Sequence, residues 1–315
     1  MYRIVAKTKD MERAEWLCLR RQGIGGSDAG AVCGLNPYIS PIDVYADKSG
    51  VVENDDFDNE AMREGRDFEE YVARRFTEAT GFKVRRSNRM YASREYPFML
   101  ADIDRLVVGK ENGIVGLECK TASPYSAAKW EDGMVPAHYL AQCYHYMAVL
   151  GANVWYIAVL IYGQAFKYVK IERDEEAIQN LIRLEKHFWE NHVLARVMPE
   201  PDGSEAADNF ISSYFVKAFS GRMIKLTDFD ERLKRREEIA TKMKELDIEK
   251  KKIEQEVKVF MQDAEVAENE SFFVSWKNTV TNRLDGTRLR EDMPEVYKKY
   301  LKTTAGRRFV VRSVA

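Results

Sequence analysis

The stretch "PFMLADIDRLVVGKENGIVGLECKTA", residues 97–122, decides the fold. Two apolar runs flank "GKENG", in which Asn112-Gly113 is a strong signal for a tight hairpin turn. Acidic and basic residues interrupt both runs, although the Val, Ile and Leu around them indicate strands that are buried on both faces. Because buried charges need partners, the stretch predicts a central β-hairpin that carries a polar site.

The charged residues of this hairpin are predicted to meet. Glu118 and Lys120 are two positions apart on one strand and therefore share a face. A turn centred on Glu111 places Asp104 directly opposite Glu118, and it places Asp102 opposite Lys120 as a candidate structural ion pair. Two facing carboxylates repel each other unless a cation lies between them, and hard oxygen ligands favour Mg²⁺ or Mn²⁺.

Further groups on the second strand complete a candidate hydrolytic centre. The backbone carbonyl of Cys119 is an additional candidate metal ligand, and Lys120 could orient or help deprotonate a water, or balance charge on a phosphate. The pattern D-x13-E-x-K thus predicts phosphodiester hydrolysis. The alternative is a charge ladder on a solvated strand face, since E-x-K alone is common.

Two predicted helices carry other candidate side chains. Glu69, on the helix predicted over 63–80, lies at the edge of the apolar face and either leans inward or is solvated. Gln142, on the helix predicted over 136–150, faces inward and is either a phosphate ligand or a buried core amide.

Histidine and cysteine residues give weaker signals. His138 and His145 share one face of the helix predicted over 136–150, as candidate metal ligands or as ordinary helix histidines. The cysteines (Cys18, Cys33, Cys119 and Cys143) have no CxxC spacing. This scatter argues against disulfides and zinc, and it favours a reducing compartment.

The glycine-rich stretch "RRQGIGGSDAGAVCGLNP", residues 20–37, indicates a phosphate site. It fails the dinucleotide fingerprint, because Asp28 stands where the third glycine belongs, and no Gly-Lys-Ser/Thr follows for a triphosphate loop. What remains is a helix N-terminus with Ser27 and Arg20 nearby, suited to a terminal or backbone phosphate. The alternative is a glycine-tolerant turn capped by Ser27.

Composition and charge limit the organisation of the chain. The 315 residues have a formal net charge of −2, so a nucleic-acid surface must be local or must use metal ions. The linker "MPEPDGSEAAD" separates a predicted domain over 1–200 from an extension over 205–315. With no signal peptide and no long apolar run, we expect a soluble cytoplasmic protein.

The extension contains a predicted helix over about 230–265, followed by a small mixed strand and helix segment. Its apolar residues recur in alternating three- and four-residue steps, apart from Lys250. The helix is expected either to pack in a hairpin on its own domain or to form an intermolecular coiled coil.

Four motifs occur in order: R-x6-S at Arg20, G-x3-E ending at Glu69, D-x13-E-x-K from Asp104, and Y-x2-Q ending at Gln142. Over roughly residues 10–200 this set resembles the YqaJ-type viral recombinases, the phage exonucleases related to lambda exonuclease. The resemblance implies a PD-(D/E)XK restriction-endonuclease-like α/β core, with a mixed central sheet flanked by helices. Ile103 precedes Asp104 where the family pattern has proline.

The resemblance also implies a role for each matching residue. These roles are metal binding by Asp104, Glu118 and the Cys119 carbonyl; assistance to the water by Lys120; support of a second metal or its waters by Glu69; contact with substrate phosphate by Gln142; and binding of the 5′-phosphate by Arg20 and Ser27. Asp102 stands where a relative has a phosphate-binding serine, so that contact is expected to be absent or replaced.

The activity implied by the resemblance is a magnesium-dependent 5′-to-3′ exonuclease, with two metal ions and with Mn²⁺ able to substitute. It would digest one strand of linear duplex DNA and leave a 3′ single strand for a phage single-strand annealing protein. A ring-shaped homo-oligomer, encoded by a phage or prophage in a bacterial host, is expected. The alternatives are a site-specific or structure-specific endonuclease and a catalytically inactive DNA-binding assembly protein, while a nucleotide-binding module is disfavoured by the failed fingerprints.

Overall fold

The computed structural model describes residues 2–51, 60–109, 113–303 and 306–312. Asn112 of the predicted hairpin turn lies outside these residues. The chain divides into two compact units, Met1–Phe215 and Val216–Ala315. The helix Glu205–Tyr214, which begins within the predicted linker, lies in the first unit.

The first unit contains both helices and strands. Its helices are α1 (Arg13–Arg20), α2 (Gly26–Val32), α3 (Pro41–Ser49), α4 (Glu60–Thr80), α5 (Ala137–Leu150), α6 (Glu175–Phe188) and α7 (Glu205–Tyr214). Its strands are β1 (Tyr2–Lys7), β2 (Ile24–Gly25), β3 (Lys83–Arg86), β4 (Arg89–Ser93), β5 (Met99–Asp102), β6 (Arg105–Val108), β7 (Val115–Ala122), β8 (Val154–Ile161) and β9 (Ala165–Glu172). A 3₁₀ segment, Pro124–Gly133, precedes α5, and a π-helical turn, Trp189–Leu194, follows α6.

The central sheet has the order β3-β6-β7-β8-β9. It is mixed, because β7 and β8 pair parallel and the other neighbours pair antiparallel. Side chains of β7 alternate between faces. Leu117 packs with α4 through Val72 and Phe76, whereas Glu118 faces α5 through Gln142. The sheet is therefore covered by a helix on each face, as the sequence predicted.

A second sheet has the order β1-β4-β5-β2. The run that the sequence predicted as one strand over 97–108 is split between the two sheets: β5 pairs with β4 and β2, and β6 pairs with β3 and β7. The single-strand prediction is wrong here, because the backbone changes sheets between Asp102 and Arg105.

Several glycines of the 20–37 stretch serve close packing. A Cβ on Gly26 would lie 2.4 Å from the Tyr146 ring, and one on Gly30 would lie 2.7 Å from His138 Cβ. Both neighbours belong to α5, against which α2 packs. A Cβ on Gly23 would meet the Phe98 carbonyl oxygen at 2.3 Å. These small residues let α2 approach the core closely.

The second unit contains a long helix, α8 (Asp230–Met261), the hairpin β10 (Val266–Glu268) and β11 (Phe273–Ser275), and the short helices α9 (Gly286–Asp292) and α10 (Pro294–Tyr300). The predicted long helix and the mixed segment after it are thus both observed. In the described part of the chain, none of the helices combines the length and apolar character that crossing a bilayer requires.

A substitution at Gly116 tests the packing of the central sheet. The buried Trp155 ring lies over it, and an alanine Cβ would meet ring atoms at 2.2 Å. We expect Gly116→Ala to lower the free energy of unfolding by about 1–3 kcal/mol, as overpacking does. Urea denaturation measures this loss. Gly65→Ala, whose Cβ has its nearest neighbour at 3.9 Å within helix α4, is the control and should be neutral or stabilising. Equal stability of the two variants would contradict the packing argument.

Candidate active site

Asp104 lies at the point where the chain passes from one sheet to the other. Its Oδ2 accepts a hydrogen bond from the Cys119 backbone N–H at 2.8 Å. The register predicted from a turn centred on Glu111 is observed for the pair Arg105–Leu117. Asp104 itself follows β5 and precedes β6, so its predicted strand pairing with Glu118 is wrong, and the side chain reaches β7 by bonding to its backbone.

The Cys119 carbonyl points toward the same edge of β7 as the Cys119 N–H. In a strand, the N–H and C=O of one residue project to the same side. Since the N–H meets Asp104, the carbonyl oxygen also faces the Asp104 side, where the sequence predicted a backbone ligand.

Glu118 is 3% exposed and lies at the centre of a polar cluster. Its Oε1 accepts hydrogen bonds from Gln142 Nε2 and Lys120 Nζ, each at 2.7 Å. The Lys120 ammonium lies 4.7 Å from the centre of the Tyr139 ring. The other oxygen, Glu118 Oε2, is buried and has no hydrogen-bond partner among the residues that the structure describes. Such an unsatisfied carboxylate oxygen is costly unless a ligand occupies it.

The electrostatics of the cluster reflect an excess of buried negative charge. Burial, together with the nearby charges of Glu118 and Glu69, holds the pKa of Asp104 well above its usual range. Burial also raises the pKa of Glu118, although Lys120 opposes this shift. Burial by itself would lower the pKa of Lys120, but the charges of Glu118 and Asp104 outweigh it and raise the pKa. Lys120 is therefore held as an ammonium ion.

These groups fit a divalent cation. In the residues that the structure describes, no three His, Cys, Asp or Glu side chains converge into a ready-made metal site. Mg²⁺ does not need one, because it is usually held by one or two carboxylates and keeps several waters. The unpartnered Glu118 Oε2 and the charge repulsion at Asp104 are both relieved by a cation, and the Cys119 carbonyl faces the same place.

Glu69 lies beside the site as the partner of a buried arginine. Arg105 is 2% exposed; it donates to Glu69 Oε1 and to Glu70 Oε2, the latter at 2.9 Å, and to the Asp104 carbonyl at 3.0 Å. The sequence left open whether the Glu69 side chain leans inward or is solvated, and the structure shows that it leans inward. Sequence reasoning missed Arg105, although an arginine directly after Asp104 in an apolar run is itself a signal of an ion pair.

Arg20 and Ser27 are brought together. Arg20 Nη2 donates to Ser27 Oγ at 2.6 Å, and the guanidinium carbon lies 4.7 Å from the centre of the Trp16 ring. Ser27 does not cap α2. The helix begins at Gly26, and the Asp28 carboxylate accepts the Gly25 N–H. The Ser27 hydroxyl is consequently left on the surface beside Arg20.

The remaining predicted partners differ from expectation. Asp102 is not opposite Lys120: it pairs with Met90 in the second sheet, and its carboxylate accepts the Trp16 indole N–H. His145 is buried and bonds to Glu185 (2.8 Å) and to the Leu100 carbonyl (2.8 Å).

His138 does not join His145. Its ring lies beside those of Tyr38 and Tyr139. Burial, helped by Lys120 and Lys129, lowers the pKa of His138 to about 4. The two histidines therefore have separate surroundings, and the ordinary structural interpretation fits both.

The predicted site residues open onto one cavity of about 380 Å³. Six of them line this cavity: Arg20, Ser27, Glu69, Asp104, Glu118 and Gln142. Lys120 lies next to the lining, because it is bonded to Glu118. Arg66, Arg86 and Arg105 add positive charge to the lining, and Asp102 adds negative charge. The geometry therefore places four acidic side chains and four arginines around one space, with Lys120 bonded to one of the acids.

Comparison with known proteins agrees with this arrangement. Residues 15–153 match the family model described as the YqaJ-like viral recombinase domain. The protein YqaJ of Bacillus subtilis (strain 168) is 38% identical over 315 residues, which cover 99% of this chain and 98% of that protein. The chain belongs to the YqaJ family. The mixed sheet and its flanking helices confirm the predicted α/β architecture.

Solved structures show a more distant similarity. An alkaline exonuclease (LHK-Exo) from Laribacter hongkongensis superimposes with a TM-score of 0.48 at 18% identity, covering 58% of this chain and 94% of that one. A phage-related exonuclease from Haemophilus somnus 129PT gives a TM-score of 0.39 at 13% identity, covering 57% and 99% of the two chains.

Asp104→Asn tests the electrostatics of the site. The folded pKa of Asp104 is raised, so between its unfolded value of about 3.9 and the folded value the native state binds an extra proton. The free energy of unfolding in EDTA must therefore fall as pH rises through that window. The substitution removes this decline, and we expect it to stabilise the metal-free protein at neutral pH by roughly 2 kcal/mol.

The measurement is thermal and urea unfolding from pH 4 to 8, with EDTA or with Mg²⁺. Magnesium should stabilise the natural protein and should leave the Asp104→Asn variant almost unchanged. Parallel pH profiles, or an equal response to magnesium, would contradict the assignment of Asp104.

Proposed function

We propose that the protein is a magnesium-dependent 5′-to-3′ exonuclease that hydrolyses one strand of double-stranded DNA from its end. Membership in the family of YqaJ-like viral recombinases supports a phage-type exonuclease. The direction of digestion, the metal and the end preference are our inference from the site.

The observation that carries the proposal is a pair of acids, Glu118 buried and Asp104 half-buried, beside a lysine. Asp104 and Glu118 face one cavity, and Lys120 is bonded to one oxygen of Glu118. The other oxygen, Oε2, has no hydrogen-bond partner in the described part of the chain. A protein that only bound DNA would have no need of buried carboxylates, because they repel phosphate and destabilise the fold.

In the proposed mechanism, a metal cation and the protein's own side chains have separate roles. A magnesium ion bound by Asp104, Glu118 and the Cys119 carbonyl would polarise the scissile phosphate and lower the pKa of the attacking water. A second ion would be supported by Glu69. Lys120, held as an ammonium by its neighbours, orients that water and balances the charge that develops on the phosphate. Gln142 lines the same cavity and donates its two amide N–H groups to Glu118 and Tyr146; in this proposal it would contact a substrate phosphate by exchanging one of these hydrogen bonds.

Preference for DNA ends is supported by the pairing of Arg20 with Ser27. The two side chains form a donor pair on the wall of the same cavity as the acids. A terminal 5′-phosphate bound there would set the first phosphodiester bond beside Asp104 and Glu118. In this proposal the remaining 3′ strand passes to a phage single-strand annealing protein, and the enzyme works as a homo-oligomeric ring around the duplex.

End dependence is the direct test of the activity. Linear 5′-phosphorylated duplex should be degraded in Mg²⁺ or Mn²⁺, linear 5′-hydroxyl duplex more slowly, and closed circles not at all, with no reaction in EDTA. Gel analysis of strand-specific labels measures each rate and the direction. Cleavage of closed circles would identify an endonuclease instead, and binding without degradation would identify an assembly protein.

Lys120→Ala tests the proposed role of the lysine. We expect hydrolysis to fall by about 100-fold or more, with DNA binding retained, because Lys120 acts on the reacting water and phosphate. Single-turnover degradation and a DNA-binding assay separate the two effects. Lys170→Ala, which removes an exposed lysine from β9 of the same sheet, is the control. Unchanged hydrolysis by the Lys120→Ala variant would remove this residue from the mechanism.

A further inference from the structure

Helix α8 is exposed along almost its whole length. Its 32 residues include an apolar set that faces solvent: Ile239 (44% exposed), Met243 (65%), Leu246 (63%), Ile253 (55%) and Phe260 (84%). Helices in proteins gain most of their stability from packing of an apolar face. An apolar stripe of this length therefore requires a partner surface.

The stripe has the repeat of a coiled coil. Residues 239, 243, 246, 250, 253, 257 and 260 follow alternating steps of four and three, which place them on one side of the helix. We call these residues the α8 seam. Val257 is partly covered within its own unit, and Lys250 is the polar member. Ile248, although 60% exposed, lies outside the seam.

The charges that flank the seam change sign along the helix. Beside its N-terminal half the flanking positions carry Arg235 and Lys242. Beside its C-terminal half they carry Asp247, Glu249, Glu254 and Glu256. Flanking charges of this kind set the partner and orientation of coiled coils. Two parallel copies would place Glu249 beside the partner's Glu254. Two antiparallel copies place Lys242 beside the partner's Glu254 and Glu256, and they place the central acids Asp247 and Glu249 near the partner's Lys250.

Lys250 favours the same orientation. In a parallel pair, the two Lys250 side chains would face each other inside the seam, with their like charges close together. In an antiparallel pair, Lys250 instead lies opposite the partner's Leu246, near the partner's acidic flank. The same register sets Ile239 against the partner's Val257 and Met243 against the partner's Ile253. Phe260, at the end of the seam, lies opposite the partner's Arg236.

We propose that α8 is a self-association surface that joins two copies of this chain as an antiparallel coiled coil. The interface is isologous, because the same seam is used by both copies. It therefore pairs chains two by two, unlike the head-to-tail contacts of a ring, and it does not depend on the proposed nuclease activity.

The molar mass of the full chain tests the surface. Ile253→Asp puts a charge into the seam and should halve the mass measured by light scattering or sedimentation equilibrium. Ile248→Asp introduces the same charge on the same helix outside the seam, and its mass should match that of the natural chain. Circular dichroism checks that both variants keep their helices. A natural chain that is monomeric, or equal masses for the two variants, would overturn the proposal.

A disulfide test fixes the orientation and does not rely on a disruptive substitution. The double variant Ile239→Cys, Val257→Cys should form an intermolecular disulfide under mild oxidation, because the antiparallel register brings position 239 of one copy to position 257 of the other. Within one helix these positions are about 27 Å apart and cannot bridge.

Each single variant, and the natural chain with its own cysteines, serves as the control. We expect little dimer on non-reducing gels from any of them. Cross-linking of the single variants as strongly as the double would show parallel pairing, and no cross-linking of the double variant would show that the seams do not meet. Either result contradicts the antiparallel pair.

Discussion

The repulsion between two closely held acids, Asp104 and Glu118, is the constraint on which the rest of the site depends. Asp104 and Glu118 are held near each other and near Glu69, and burial deprives them of the solvent that would screen their charges. The fold accepts this cost and offsets part of it locally, through the Lys120 ammonium, the Gln142 amide and the Cys119 N–H. Among the residues that the structure describes, one oxygen of Glu118 is left without a partner. This incomplete compensation is the physical basis of the proposed cation site.

The position of Asp104 follows from a change of sheets. Because β5 belongs to one sheet and β6 to the other, the backbone between them is free of strand pairing, and the aspartate can turn its carboxylate to the backbone of β7. Arg105 fixes the end of this connection, since it is buried and bonded to Glu69, Glu70 and the Asp104 carbonyl. The ion pair thus joins α4 to the start of β6 and brings Glu69 to the cavity.

The sequence predicted the parts of this site that depend on local periodicity. Glu118 and Lys120 share a face because side chains alternate along a strand. It did not predict the split of residues 97–108 into two sheets. Strand signals report that a run is extended and buried, and they do not report which neighbour it pairs with. The expected partner of Asp102 was wrong for that reason.

Helix α5 determines the geometry of the site more than the strands alone do. Its Gln142 and Tyr146 form a chain of hydrogen bonds from Glu118 to the Asp102 carbonyl. Its His145 donates to the Leu100 carbonyl, and the other ring nitrogen of His145 is hydrogen-bonded to Glu185 of α6. A carbonyl can only accept, so the His145 Nε2 must carry a proton. Although burial alone would lower the pKa of His145, the Glu185 carboxylate raises it and favours the imidazolium. The strand that leads into Asp104 is therefore held by two side chains of α5, Tyr146 and His145.

The glycines of α2 let this helix, which carries Ser27, pack directly against α5. The acids, the amide and the Arg20–Ser27 pair consequently share a single frame, and this common support explains how motifs far apart in the sequence meet in one cavity.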